Sequence, residues 1–233
     1  MIPEKKQSVI SVIIVAGGKG LRAGGEFPKQ FQPIGGTPML MRTVRAFYDY
    51  DDSMCIIVVL PEGAQPLWSR LCEQYQFTIP HTVVTGGETR FHSVKNGLDK
   101  ITGDGIVGVH DGARPFVTSG LIGRCFETAF ENQCGVIPVV DVVNSVRQLT
   151  GTDSRIVDRK QLRLVQTPQV FPAGELKRAY ETGFDPSFTD DASVAEKWGM
   201  EIKLVEGEET NIKITTPFDM ELAGYYSQLM ANR

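Results

Sequence analysis

Residues 16–31, AGGKGLRAGGEFPKQF, carry three cations, Lys19, Arg22 and Lys29, among five glycines and one proline. Little side-chain bulk combined with concentrated positive charge suits phosphate. Glycine lets backbone N–H groups come close to anionic oxygens, and the cations add full charges. Pro28 restricts the backbone directly before Lys29, so that side chain is aimed rather than left free in solvent. The plain alternative is a surface loop whose Lys and Arg are merely solvated. Residues 18–23 also satisfy GxGxxA, which would suggest a nicotinamide oxidoreductase. That fingerprint, however, needs a helix beginning at its glycines and an acidic residue about 20 positions on. Here Gly24, Gly25, Pro28, Pro33, Gly35, Gly36 and Pro38 delay any helix, and the second β-rich run ends only at Leu60. No GxxxxGK[ST] pattern occurs.

Other groups suited to chemistry sit in short blocks further along. In VHDGARP, Asp111 and Arg114 lie just past a buried β-rich run, where open α/β sheets bind ligands; a cap or turn is the simpler role for Asp111. His110 reads as a strand-end residue and not as a base. GGETRFHS offers Gly86, Gly87, Glu88 and Ser93, whose plainest role is to turn a strand into a helix. His92 has no assigned role. Lys213 in NIKIT could be an outward lysine of a strand between Ile212 and Ile214, and Arg159 in VDRK an ordinary surface charge. Thr189, before DDAS, could cap a helix from Asp190.

Elements must position these groups, and the hydrophobic pattern supplies them. Short β-branched runs at 9–15, 55–60, 81–84, 106–110 and 136–140 alternate with amphipathic segments at 40–48, 66–76, 91–100 and 121–132. That alternation predicts parallel strands joined by helices. Residues 141–167 break the pattern and alternate about a TGTDS turn, predicting a hairpin or arm outside the main sheet. Helices near 174–182 and 190–197, a strand at 202–205 and a closing helix from Pro217 follow. The 233 residues, 41% hydrophobic, suffice for a core, and no linker or repeat divides them, so one domain is expected. With 24 Lys+Arg against 28 Asp+Glu the chain has no general electrostatic footprint for nucleic acid. Cys55, Cys72, Cys125 and Cys134 show no CxxC spacing, which fits a reducing, cytoplasmic setting and no structural zinc. The apolar run at 9–16 is too short to span a membrane.

Six blocks in order, AGGKGLRAGGEFPKQF, GGETRFHSV, VHDGARPFV, VDRKQLRLVQTPQVF, FTDDASVAE and VEGEETNIKITTPFDMELA, span residues 16–223. Together they resemble the 2-C-methyl-D-erythritol 4-phosphate cytidylyltransferase family of the non-mevalonate isoprenoid pathway. The resemblance implies a Rossmann-like α/β nucleotidyltransferase with a mostly parallel central sheet and a protruding β arm, about 141–167. It also implies a homodimer whose arm reaches over the partner's site, and a reaction in which CMP passes from CTP to methylerythritol phosphate with Mg²⁺ or another divalent cation present. Ribitol-5-phosphate cytidylyltransferase is the nearest alternative, and a catalytically silent nucleotide-binding protein a third.

By the same resemblance Arg22, Lys29, Arg159 and Lys213 are the catalytic candidates. Arg22 and Lys29 would meet the triphosphate; Arg159 and Lys213 would hold the acceptor phosphate. Ala16, Gly17, Gly18, Lys19, Gly20, Gly86, Gly87, Glu88, Ser93 and Gly112 would bind the nucleotide. Asp111, Arg114, Thr167 and Thr189 would bind the acceptor, and Asp111 is also the candidate metal ligand. Three positions depart from the family pattern. Val142 stands where a threonine is usual, with Ser145 nearby; Gly112 stands where alanine is usual, and Ala23 where methionine is common.

Overall fold

A computed structural model describes residues 9–18 and 28–231, the side chains of 230 and 231 excepted. The expectations for Lys19, Gly20, Arg22 and Ala23 fall outside the described residues. Strand β1 (Val9–Val15) opens the chain. After a 3-10 turn (Lys29–Phe31) come the short pair β2 (Pro33–Ile34) and β3 (Thr37–Pro38), then α1 (Met39–Tyr50). The crossovers follow: β4 (Cys55–Leu60), α2 (Gln65–Gln74), β5 (Thr82–Thr85), α3 (Arg90–Leu98), β6 (Gly105–Asp111), α4 (Ser119–Asn132) and β7 (Gly135–Asp141). Next are the hairpin β8 (Val146–Thr150) and β9 (Asp153–Val157), then β10 (Arg163–Val165) and β11 (Gln169–Pro172). The remainder is α5 (Ala173–Glu181), α6 (Asp191–Trp198), β12 (Ile202–Glu206) and α7 (Pro217–Ala231).

The sheet runs β7-β11-β6-β1-β4-β5, with β12 and β10 also on β7. The pairs β1/β4, β1/β6, β4/β5 and β12/β7 are parallel, whereas β10 and β11 run antiparallel to their neighbours. Because side chains alternate along a strand, Val12 and Ile14 of β1 face one layer and Ile13 the other. The first layer packs against Phe47 of α1, Trp68 of α2 and Phe126 of α4. The second packs against Val94 and Leu98 of α3, and Leu176 and Tyr180 of α5. Strands covered on both faces must be apolar throughout, which is why VISVIIV and CIIVVL are legible in the sequence.

Three expectations change. The free hairpin is narrower than 141–167: Asp141 ends β7, and Arg163 pairs back onto it in the main sheet. Only β8 and β9 stand apart, turning through Gly151, whose φ of 70° a β-carbon would strain. Residues 169–172, not expected as a strand, are buried throughout and form β11. The prolines at 168 and 172 hide the signal, since proline argues against a central strand, yet both strand edges are used here. Lys213 is not in a strand; its segment is extended coil tied to the sheet by Ile214 N–H donating to Ala113 O at 2.8 Å. Among the described residues no helix is long and apolar enough to cross a membrane.

Candidate active site

The strands β1 and β6 end side by side at Val15 and Asp111, and a cleft of about 290 Å³ opens over them. Its floor is the backbone of Ala16, Gly17, Gly18 and Gly112. Its walls are Lys29 and Gln30 on one side, Gly87, Glu88, Thr89, Arg90 and Ser93 on another, and Asp111 with Lys213 on a third. The start of the glycine loop is fixed by Gln30. Its buried amide donates to Ala16 O at 3.1 Å and to Gly18 O at 3.2 Å, so carbonyls turn inward and the backbone course is set. Lys29 Nζ donates to Ile214 O at 2.7 Å, joining this loop to the Lys213 segment.

Gly17 sits close against α3: a β-carbon there would lie 3.1 Å from Ser93 Oγ, which would have to give. Ser93 itself accepts from Gly87 N–H at 3.1 Å and donates to Thr89 O at 2.9 Å. It therefore shapes the turn into α3 as well as lining the cleft. The N-terminus of α3, with Thr89 as its cap, faces the same space, and such a terminus attracts anions. Gly112 packs against Ala16, and a β-carbon on it would come to 3.0 Å from the Ala16 β-carbon. The family's usual alanine would need that contact to give.

Asp111 is the electrostatic centre. Its Oδ2 meets Lys213 Nζ at 3.0 Å and Arg114 Nε at 3.2 Å, and its Oδ1 lies 3.9 Å from Arg90 Nε. Burial alone would raise this carboxyl, but Arg90, Lys213 and Arg114 outweigh it and hold it well below the usual carboxylate range. Arg114 does not line the cleft. Its guanidinium donates to Asn211 O at 2.7 Å and to Val165 O, so it buttresses Asp111 from behind. Thr167 is also behind the carboxylate, its Oγ1 accepting from Asp111 N–H at 3.1 Å. Both residues therefore help to hold Asp111, Arg114 at its carboxylate and Thr167 at its backbone N–H.

Asp111 as a metal ligand is not favoured by its surroundings. Three cations already face its carboxylate, and a divalent ion there would meet their repulsion. Among the described residues, no group of three or more His, Cys, Asp or Glu is arranged to hold a metal.

His110 is wholly buried beneath Asp111. Its Nε2 lies 3.1 Å from Arg114 O, a carbonyl that can only accept, so Nε2 carries the proton. Nδ1 then accepts from the Thr167 hydroxyl at 3.0 Å, leaving a Thr167 lone pair for Asp111 N–H. Burial pushes the imidazole down to about 4, against the opposing pull of the Arg114 carbonyl bond. Below pH about 6.5 the unfolded chain takes up a proton that the folded chain refuses until about pH 4. Stability therefore falls as pH drops through that window, by up to about 3 kcal/mol from this group. Urea unfolding across pH 7 to 4 should show the decline, and His110→Gln should flatten it.

Arg159 and Thr189 are not brought to this cleft. Arg159 follows the free hairpin, exposed, with its guanidinium on Val143 O. Thr189 is exposed, and the α6 cap is Asp190, which forms a capping box with Ser193. Neither Val142 nor Ser145 lines the cleft. Sequence reasoning missed Gln30 and Arg90. Arg90 is at the first position of α3, where a cation opposes the helix dipole; such a placement calls for an acidic partner and was the available signal.

An open, mostly parallel sheet with a glycine-floored, cation-ringed cleft at its strand ends defines an α/β nucleotidyltransferase. Residues 10–228 match the family model described as IspD: 2-C-methyl-D-erythritol 4-phosphate cytidylyltransferase. The chain belongs to that family. It is 58% identical over 213 residues to the 2-C-methyl-D-erythritol 4-phosphate cytidylyltransferase of Bacteroides fragilis, covering 91% of this chain and 97% of the relative. A Phocaeicola vulgatus protein of the same name is 58% identical over 212 residues, covering 91% and 96%. The crystal structure of the Thermus thermophilus enzyme of that name superposes with a TM-score of 0.77 at 34% identity, covering 95% of this chain and 99% of that one.

Proposed function

We propose that the chain transfers CMP from CTP to 2-C-methyl-D-erythritol 4-phosphate, giving 4-diphosphocytidyl-2-C-methyl-D-erythritol and pyrophosphate. The supporting observation is the cleft in which Lys29, Lys213 and Arg90 surround a glycine-rich floor. An oxygen of the acceptor phosphate attacks the α-phosphorus; the new P–O bond forms as the bond to the β-phosphate bridge oxygen breaks, and pyrophosphate carries that electron pair away. Two polyanions must meet, so repulsion is the main obstacle. The acceptor phosphate, with a second pKa near 6, is already largely dianionic at neutral pH, and no base is needed. Positioning and electrostatic preorganisation do the catalysis.

In this reading Lys29 and Arg22 contact the triphosphate, the loop 16–20 and the α3 terminus cradle it, and Gly86, Gly87, Glu88 and Ser93 surround the cytosine. Lys213 stands partly exposed beside Asp111, on the acceptor side, where its ammonium can receive the acceptor phosphate. A divalent cation such as Mg²⁺ would supply counter-charge to the triphosphate. Arg159 and Thr189 reach a cleft only across a homodimer. The exposed apolar side chains Val143, Leu149 and Ile156 on and beside the hairpin support such pairing. Four free cysteines suit a reducing cytoplasm.

Pyrophosphate release measured with CTP and either methylerythritol phosphate or ribitol 5-phosphate tests the acceptor. Preference for the first is expected; a clear preference for ribitol 5-phosphate would overturn the choice.

A further inference from the structure

Asp191 is a wholly buried carboxylate on the first turn of α6, outside the cleft. The Arg90 guanidinium donates to its two oxygens, Nη1 to Oδ1 at 2.9 Å and Nη2 to Oδ2 at 2.6 Å. The Tyr180 hydroxyl donates to Oδ1 at 2.7 Å, and its ring stacks on Phe91 of α3 with centroids 4.6 Å apart. From below, Gln169 Oε1 of β11 accepts from the N–H groups of Asp191 and Ala192, at 3.0 and 2.9 Å. The carboxylate is thus held from two elements, and the backbone that carries it from a third. A two-point arginine–carboxylate pair fixes the plane of the guanidinium, and so the place of its Nε–H.

Arg90 Nε lies 3.9 Å from Asp111 Oδ1, and both residues line the cleft. The gap is too long for a direct hydrogen bond and short enough for one oxygen to bridge. One side of the gap donates and the other accepts. A phosphate oxygen would be repelled by Asp111, and a metal ion by Arg90. A hydroxyl satisfies both, because it accepts and donates at once.

We infer that Asp191 is a positioning residue, holding Arg90 so that its Nε–H and Asp111 Oδ1 together take one substrate hydroxyl. The inference rests on the cytidylyltransferase reading. The hydroxyl belongs either to the polyol acceptor or to the ribose of CTP, and kinetics distinguishes them.

The experiment measures KM for CTP and for methylerythritol phosphate, with kcat and the unfolding midpoint, in wild type, Asp191→Asn, Tyr180→Phe and Arg90→Lys. Loss of one oriented hydrogen bond should raise KM about tenfold for the substrate carrying the hydroxyl in Asp191→Asn, leaving the other KM within about twofold. Arg90→Lys should match it, since an ammonium cannot pair with Asp191 through two parallel bonds and still present a fixed third donor. Tyr180→Phe keeps the buried ring and its stack, and should move the same KM by about threefold. It carries the test if Asp191→Asn does not fold. A loss of stability or active fraction with both KM values unchanged, or an equal rise in both, overturns the inference. An inactive wild type would instead count against the functional reading itself.

Discussion

Replacing Lys29 by alanine lowers the turnover of CTP with methylerythritol phosphate by about a thousandfold and leaves the protein folded. A unit charge about 4 Å from its partner is worth roughly 4 kcal/mol at an effective dielectric near 20, and each 1.4 kcal/mol is a factor of ten. The ammonium is already oriented into the cleft by Ile214 O, so little reorganisation is needed when the triphosphate arrives. The Ile214 O bond itself contributes about 1 kcal/mol to the fold, the net worth of one such hydrogen bond. Steady-state kinetics beside denaturant unfolding separates the two effects. Near-normal kcat would remove Lys29 from the chemistry, and the reason for its placement after Pro28 with it.

Asp111→Asn should damage both stability and activity. Asn preserves the shape but leaves Arg114 buried without a counter-charge, and breaking one partner of a buried pair costs about 3–5 kcal/mol. Arg114 and Asp111 are each about nine-tenths buried at the side chain, so solvent screens this pair weakly. The Lys213 contact is different: its side chain is 44% exposed, and screening keeps its share of stability small. Its loss matters for activity, because Lys213 would no longer be held beside a carboxylate. A fall of at least a hundredfold in turnover is expected, comparable to losing one preorganised electrostatic contact. Urea titration that finds Asp111→Asn within about 1 kcal/mol of wild type would mean that Arg114 is satisfied by its carbonyl partners alone.

Much of this was legible because the first half of the chain repeats one physical theme. Strands buried on both faces must be continuous apolar runs, and β1 and β4 begin and end where those runs do. The glycine blocks were legible as well, since Ser93 crowds Gly17 and His92 stands within 2.4 Å of where a Gly87 β-carbon would lie. What the sequence hid is long-range. Arg90 and Asp191 pair across 101 positions, and no local pattern joins them. Strand β11 was hidden by its prolines, although it supplies Gln169, which fixes Asp191. Arg114 and Thr167 stand in blocks that suggest contact with substrate, and their bonds to Asp111 were not legible there. Residue type indicated charge and hydrogen bonding correctly; only the packing tells which partner receives them.

The account rests on a few fixed cations and backbone amides gathering one triphosphate beside its acceptor. A structure of the protein with CTP bound tests this most directly. The triphosphate is expected within hydrogen-bond reach of Lys29 Nζ and the amides of Gly17 and Gly18, with Lys213 on the open side of the α-phosphorus. A triphosphate bound elsewhere, with Lys29 and Lys213 turned away from it, would contradict the account.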